Sequence, residues 1–222
     1  MNGLWILLLL IFISALPVLV VLIWIRVRRF PIGLPWFLLA LLGGALSLGI
    51  AAILQSLFPQ IDEATISALL FKIFIQVALT EELGRLGVFA LLLGLARRFG
   101  KDSGTITPAF GAVTGLIAGL GFAVIETAMY GVGDFRIALI RAVTAAPLHG
   151  ACGTRIGIAV SHFKDAPGLA LGRFLYAVGI HGMYNFMVIS PGIPQVFPVL
   201  IAFTVLLSSI QLIRYSKKEP GT

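Results

Sequence analysis

Apolar stretches of about 20 residues, each long enough to cross a bilayer, follow one another along nearly the whole of this 222-residue chain. No other feature restricts the fold so tightly. Inside hydrocarbon every backbone N–H and C=O must be satisfied within the protein, which leaves helices or a closed barrel. The runs are continuous and do not alternate apolar with polar residues, which selects helices. The expected fold class is all-α, a polytopic transmembrane helix bundle. Hydrophobic residues make up 59% of the chain and charged residues 11%, where an ordinary soluble domain carries about 25% charge. That deficit excludes a disordered chain and argues against a soluble globular enzyme. Cys152 is the single cysteine, so an intrachain disulfide framework and a Cys-rich metal site are excluded.

Seven spans are expected, over about 3–25, 34–58, 65–96, 107–130, 135–161, 169–190 and from beyond Pro194 to about 213. Basic residues fall beside alternate spans: Arg26, Arg28 and Arg29 after the first, and Arg97, Arg98 and Lys101 after the third. Lys164 follows the fifth, and Arg214, Lys217 and Lys218 follow the seventh. The intervening loops hold Asp62, Glu63 and Asp134, with Arg136 as the basic exception. By the positive-inside rule the N-terminus is outside and the C-terminus cytoplasmic. The first run has no basic residue before it, so it reads as a retained helix and not as a signal peptide. The formal net charge of +7 thus describes orientation in a lipid bilayer, and no nucleic-acid partner is expected. A single domain over 1–222 is expected, without internal repeats or low-complexity segments.

Ionisable groups near the bilayer centre are costly and persist when they pair, line a wet cavity or do chemistry. Glu81, Glu82, Glu126, His149 and His181 stand inside the apolar runs. At about 1.5 Å per residue, Glu81 lies roughly 25 Å from the outer end of its helix, and both histidines roughly 20 Å from a membrane face. Glu126 is placed nearer the outer face. Glu81 and Arg85 are four residues apart and share a helix face, with the acid in the favourable N-terminal position. Glu82 is turned about 100° away from Glu81, so the two carboxylates should differ in role. His181 and Asn185 share a face, as do Phe122 and Glu126. Gly111, Gly115 and Gly119 form a small-residue ridge that admits a neighbouring helix. Structural roles compete with these: a Glu82–Arg85 ion pair, a packing His149, and His181–Asn185 as interhelical glue. Lys72, Arg141, Arg155 and Arg173 fit snorkelling cations near the faces, and His162 a loop residue at the inner boundary.

The segments Glu81-Glu82-Leu83-Gly84-Arg85, Phe122-Ala-Val-Ile-Glu126, His149 in its small-residue helix, and His181-Gly-Met-Tyr-Asn185 occur in that order. Together they resemble the PrsW-type intramembrane proteases, relatives of the CAAX-prenyl endopeptidases of the abortive-infection superfamily. The resemblance covers about 79–186, the expected protease core. Glu126 stands where the prenyl-endopeptidase branch carries His, which argues against a prenylated substrate. Arg85 replaces the Lys common in PrsW-like motifs, and Asn185 stands where some members carry Asp.

The resemblance implies an intramembrane endopeptidase in a prokaryotic plasma membrane. Its substrate would be a membrane protein or peptide, such as a membrane-anchored anti-sigma factor. Peptide hydrolysis needs an activated water, a base and oxyanion stabilisation. In a metal-free version Glu81 activates the water with His149, Arg85 orients the glutamates, and His181 and Asn185 donate to the oxyanion. Glu126 then holds His149 or the water, and Glu82 supports the geometry. In a zinc version Glu81, His149 and His181 are the ligands and Glu82 the base. A proton- or cation-coupled transporter and a non-catalytic membrane scaffold are the readings from other classes.

Overall fold

The computed structural model of the chain describes residues 3–30, 32–61, 65–99 and 107–217. All regular secondary structure among them is helical. Helices α1 (Gly3–Val27) and α2 (Leu34–Ser56) are followed by α3 (Ile66–Phe71). A π-helical segment over Lys72–Leu79 joins α3 without interruption to α4 (Thr80–Phe99). Then come α5 (Pro108–Gly131), α6 (Phe135–Val143), α7 (Ala145–His162), α8 (Pro167–Ile189) and α9 (Val196–Ser216). Asp62, Glu63, Lys101 and Lys218, which enter the charge pattern of the sequence, lie outside the described residues.

Local chemistry sets the helix ends. The Thr65 hydroxyl accepts from the Ala68 amide at 3.2 Å, and the Thr107 hydroxyl accepts from the Phe110 amide at 3.1 Å. Asp134 caps α6 through the Arg136 amide at 2.9 Å. Each cap satisfies a donor that the first turn of a helix leaves free. Prolines in the first turns of α2, α5 and α8 sit where no amide hydrogen is needed.

Two expected spans depart from a regular α-helix. The continuous helix expected over 135–161 breaks at Thr144, between α6 and α7. Pro147 has no N–H to give to the carbonyl four residues earlier, that of Val143, and its ring crowds that position. The long third helix contains the π segment, whose wider turns change the facing of everything beyond it. Where it ends, the Thr80 hydroxyl donates to the carbonyls of Gln76 at 2.6 Å and Val77 at 3.0 Å. Among the described residues, four helices are long and apolar enough to cross a membrane by length and composition: Leu4–Val27, Leu34–Ser56, Pro108–Gly131 and Val196–Ser216. Apart from α5, which carries Glu126, the helices that hold the charged groups of the centre are less apolar or interrupted.

Helices α5 and α7 form the middle of the bundle, and α1, α2, α4, α8 and α9 pack around them. The expected glycine ridge is the reason they approach so closely. A Cβ at Gly111 would run into the backbone of Gly157, one at Gly115 into Gly153, and one at Gly119 into the carbonyl of His149. The ridge therefore sets the position of His149 directly. On the outside, α1, α2 and α9 expose Leu, Ile, Val and Phe side chains along their length. A water-facing surface rarely carries so continuous an apolar face, which suits contact with lipid.

Gly115→Val is expected to separate α5 from α7, because the obstructing atoms are backbone and cannot turn away. Overpacking of this kind destabilises by about 1–3 kcal/mol. Thermal unfolding of the purified protein in detergent should move to lower temperature; an unchanged melting profile would contradict the packing described.

Candidate active centre

Helix α4 begins with the two acids, and its first turns bring Glu81, Glu82 and Arg85 into the bundle, all buried. Arg85 forms a salt bridge through its Nη1 with both carboxylate oxygens of Glu82. Its Nη2 lies 3.3 Å from Nδ1 of His149 on α7. The other ring nitrogen of His149, Nε2, is 2.7 Å from Oε2 of Glu126 on α5. The same Glu126 oxygen pairs with Nη2 of Arg141 on α6 at 2.5 Å. From Glu82 the network continues the other way. Its Oε1 is 2.9 Å from Nδ1 of His181 on α8, and Nε2 of His181 is 3.6 Å from Oε2 of Glu81. Gln55 of α2 donates to Oε1 of Glu81 at 3.4 Å. One connected polar network thus joins six helices.

Aromatic packing holds the rings in place. The imidazoles of His149 and His181 stand edge to face with centroids 4.9 Å apart, and the Phe122 ring lies 4.9 Å from His149. The Arg85 guanidinium sits over Phe122 at 4.5 Å, a cation–π contact in a desolvated setting. Phe122 and Glu126 serve the centre from one face of α5, as their spacing indicated.

The structure brings together Glu81, Glu82, Arg85, Glu126, His149 and His181, the residues singled out from the sequence. It corrects several details. Arg85 pairs with Glu82, three residues away, and not with Glu81. Glu126 reaches His149, the contact expected of it in the metal-free version. Arg141 is no snorkelling cation: it pairs with Glu126 and stacks over Tyr130 at 4.1 Å. Arg155 is fully buried and does not snorkel either. Cys152 directs its sulfur to the Ala177 carbonyl at 3.6 Å. His162 closes α7, with Nδ1 3.0 Å from the Ile158 carbonyl. Arg141 and Gln55 are the members of the centre that the sequence did not single out.

A cavity of about 300 Å³ opens beside the network, lined among others by Lys72, Glu126, Tyr130, Arg141 and Asn185. Glu126 and Arg141 are 13% and 16% exposed in their side chains, whereas Glu82 is wholly buried. Glu126 is therefore the acid of the network that lines the cavity. Asn185 lies on this cavity wall, one turn beyond His181.

The donor chemistry also fits a metal ion. One ligand atom from each of Glu81, His149 and His181 lies within 4.8 Å of the others. Oε2 of Glu81 is buried and has no hydrogen-bond partner, a condition that an ion would relieve. Two imidazoles and a carboxylate form a donor set used by catalytic zinc. His181 presents Nδ1 to Glu82, which matches the carboxylate support that orients metal-ligating histidines.

Apolar helices wrapped around a buried acid–imidazole centre, with a cavity reaching it, define an integral membrane enzyme. The sequence assigns that enzyme to a family: the chain belongs to the PrsW family of intramembrane metalloproteases, whose model matches residues 33–209. It is a membrane-embedded protease, and the match includes every residue of the network. No curated protein and no solved structure is detectably similar to it.

Proposed function

We propose that the chain hydrolyses peptide bonds within or beside the membrane-spanning segments of other proteins, using the Glu81–Glu126–His149–His181 centre. The convergence of Glu81, His149 and His181, with Glu126 facing the cavity, carries this reading. Glu81, His149 and His181 would hold the metal. When bound, it would supply a Lewis acid and lower the pKa of a water ligand. The remaining roles belong to the chain. Glu82 accepts from His181 Nδ1 and keeps its Nε2 turned toward Glu81. Arg85 fixes Glu82 and, before a metal binds, donates to Nδ1 of His149, so one guanidinium sets the orientation of an acid and an imidazole. Glu126, on the cavity side, takes the proton from the attacking water and returns it to the leaving amine. Asn185 and Arg141, also on the cavity wall, supply hydrogen bonds to the oxyanion. The bundle excludes bulk water, which strengthens each of these interactions.

The catalytic core is 79–186 within a single domain over 1–222. Seven crossings follow if α3, the π segment and α4 form one span and α6 and α7 another. The N-terminus is then outside, the C-terminus cytoplasmic, and the cavity opens at the outer end. The enzyme sits in a prokaryotic plasma membrane and cleaves a membrane-anchored regulator such as an anti-sigma factor.

The test is cleavage of a membrane-spanning model peptide in proteoliposomes, with the metal content of the purified protein measured in parallel. Stripping the metal with a chelator is expected to abolish cleavage, and adding back one divalent ion per chain to restore it. Full cleavage by metal-free protein would move the base role to Glu81 in a metal-free centre.

A further inference from the structure

Away from the cavity, about 9 Å along α7 beyond His149, two guanidinium groups have no carboxylate partner among the described residues. Arg155 is 1% exposed. Its Nη1 donates to the Ala151 carbonyl at 2.9 Å and the Ser209 hydroxyl at 2.7 Å, and its Nη2 to the Ser208 hydroxyl at 3.0 Å. Its guanidinium lies over the ring of Tyr176 at 4.8 Å. Arg173, one turn before Tyr176 on α8, is near enough for the two positive charges to repel. The Nε atoms of both arginines are buried and unpartnered. Two like charges beside apolar surroundings with no counter-ion are costly. Serine hydroxyls satisfy hydrogen bonds but neutralise nothing.

Directly below lies an apolar groove of about 310 Å³ between α8 and α9, bounded by Tyr176, Ile180, Met183, Met187, Leu200 and Thr204. Arg173, Tyr176, Ile180, Met183 and Met187 recur at three- or four-residue intervals, so one stripe of α8 carries both the charge and the groove wall. Ser208 is one turn from Thr204. Because its oxygen accepts from Arg155, its proton is free to donate outward. Cationic head and apolar slot are thus continuous.

We propose that this surface binds one anionic phospholipid, its phosphate on Arg173 and the hydroxyls of Ser208 and Tyr176, its acyl chain in the α8–α9 groove. Arg155, behind Tyr176, adds attraction without touching the lipid. The lipid supplies the counter-charge that the chain lacks there and closes α8, which carries His181, against α9. The proposal stands apart from the catalytic one, since none of these residues belongs to the acid–imidazole centre.

Native mass spectrometry of the full chain in detergent tests it, with phosphatidylglycerol or phosphatidylcholine of the same acyl chains added. One phosphatidylglycerol per chain is expected, with occupancy about five-fold above phosphatidylcholine. The combined R173Q and S208A substitutions should reduce it to the phosphatidylcholine level. Thr204→Trp, which fills the exposed groove and leaves the arginines intact, should lower it as well. Equal occupancy for the two lipids, or unaltered binding in both variants, overturns the proposal. Displacement by millimolar inorganic phosphate also overturns it, because the site would then be one for a free anion.

Discussion

Glu81→Gln is expected to abolish peptide cleavage while the protein still folds and inserts. The substitution preserves shape and volume. Oε2 of Glu81 has no hydrogen-bond partner to lose, and the carbonyl oxygen of a glutamine can still accept from Gln55. What disappears is the negative charge and one anionic ligand. The bound metal should therefore fall to a substoichiometric level together with activity. Glu126→Gln provides the contrast. It removes the cavity-facing acid but none of the three ligand groups, so metal should be retained while turnover falls by about 10²- to 10⁴-fold. Full activity in Glu81→Gln would sink both the metal-bound and the metal-free versions of the site. Loss of metal in Glu126→Gln would move Glu126 from base to ligand. The inactive Glu81→Gln protein is also a substrate trap: membrane proteins enriched on it relative to wild type, and shortened only in wild-type cells, are the physiological targets.

Helices were legible wherever lipid leaves the backbone no alternative. The runs at 3–25, 34–58 and 107–130 became α1, α2 and α5 almost residue for residue. The break at Thr144 had a visible cause in Pro147, but it competed with an unbroken apolar run on either side. The π segment had no local signal; it packs against α8, a tertiary contact that sequence spacing does not reveal. The acids and imidazoles of the centre were legible for one physical reason. In a chain with so little charge, an ionisable residue in mid-span is an exception needing a cause. Their partners were harder to see. Arg141 and Gln55 lie near helix ends, where polar residues are ordinary and snorkelling is the default. Sequence spacing favoured Glu81 for Arg85, yet the i,i+3 pair with Glu82 formed instead, a spacing helices allow equally. Asn185 is at the expected place on α8, and it lines the cavity beside Glu126 and Arg141.

The Glu82–Arg85 pair sets the largest expected effect on stability. Both side chains are buried, with relative exposures of 0% and 1%. Arg85→Met removes the cation and leaves Glu82 buried with an unopposed charge, a change that destabilises by about 3–5 kcal/mol. It also removes the donor to Nδ1 of His149. Glu82→Leu leaves Arg85 unopposed and should destabilise by a similar amount. The double variant, with both charges replaced by apolar groups, should recover most of the stability lost in either single variant, because a buried ion pair is often no more stable than the apolar pair replacing it. Melting temperatures of the four proteins in one detergent give the coupling. Activity should not follow stability. The double variant lacks the acceptor for His181 and the donor for His149, so both imidazoles lose their orientation and cleavage stays low. A double variant that is stable and fully active would show that the pair supports the fold alone. One that is stable and inactive separates the two functions of Arg85: neutralising a buried acid, and aiming the rings that surround the site of hydrolysis.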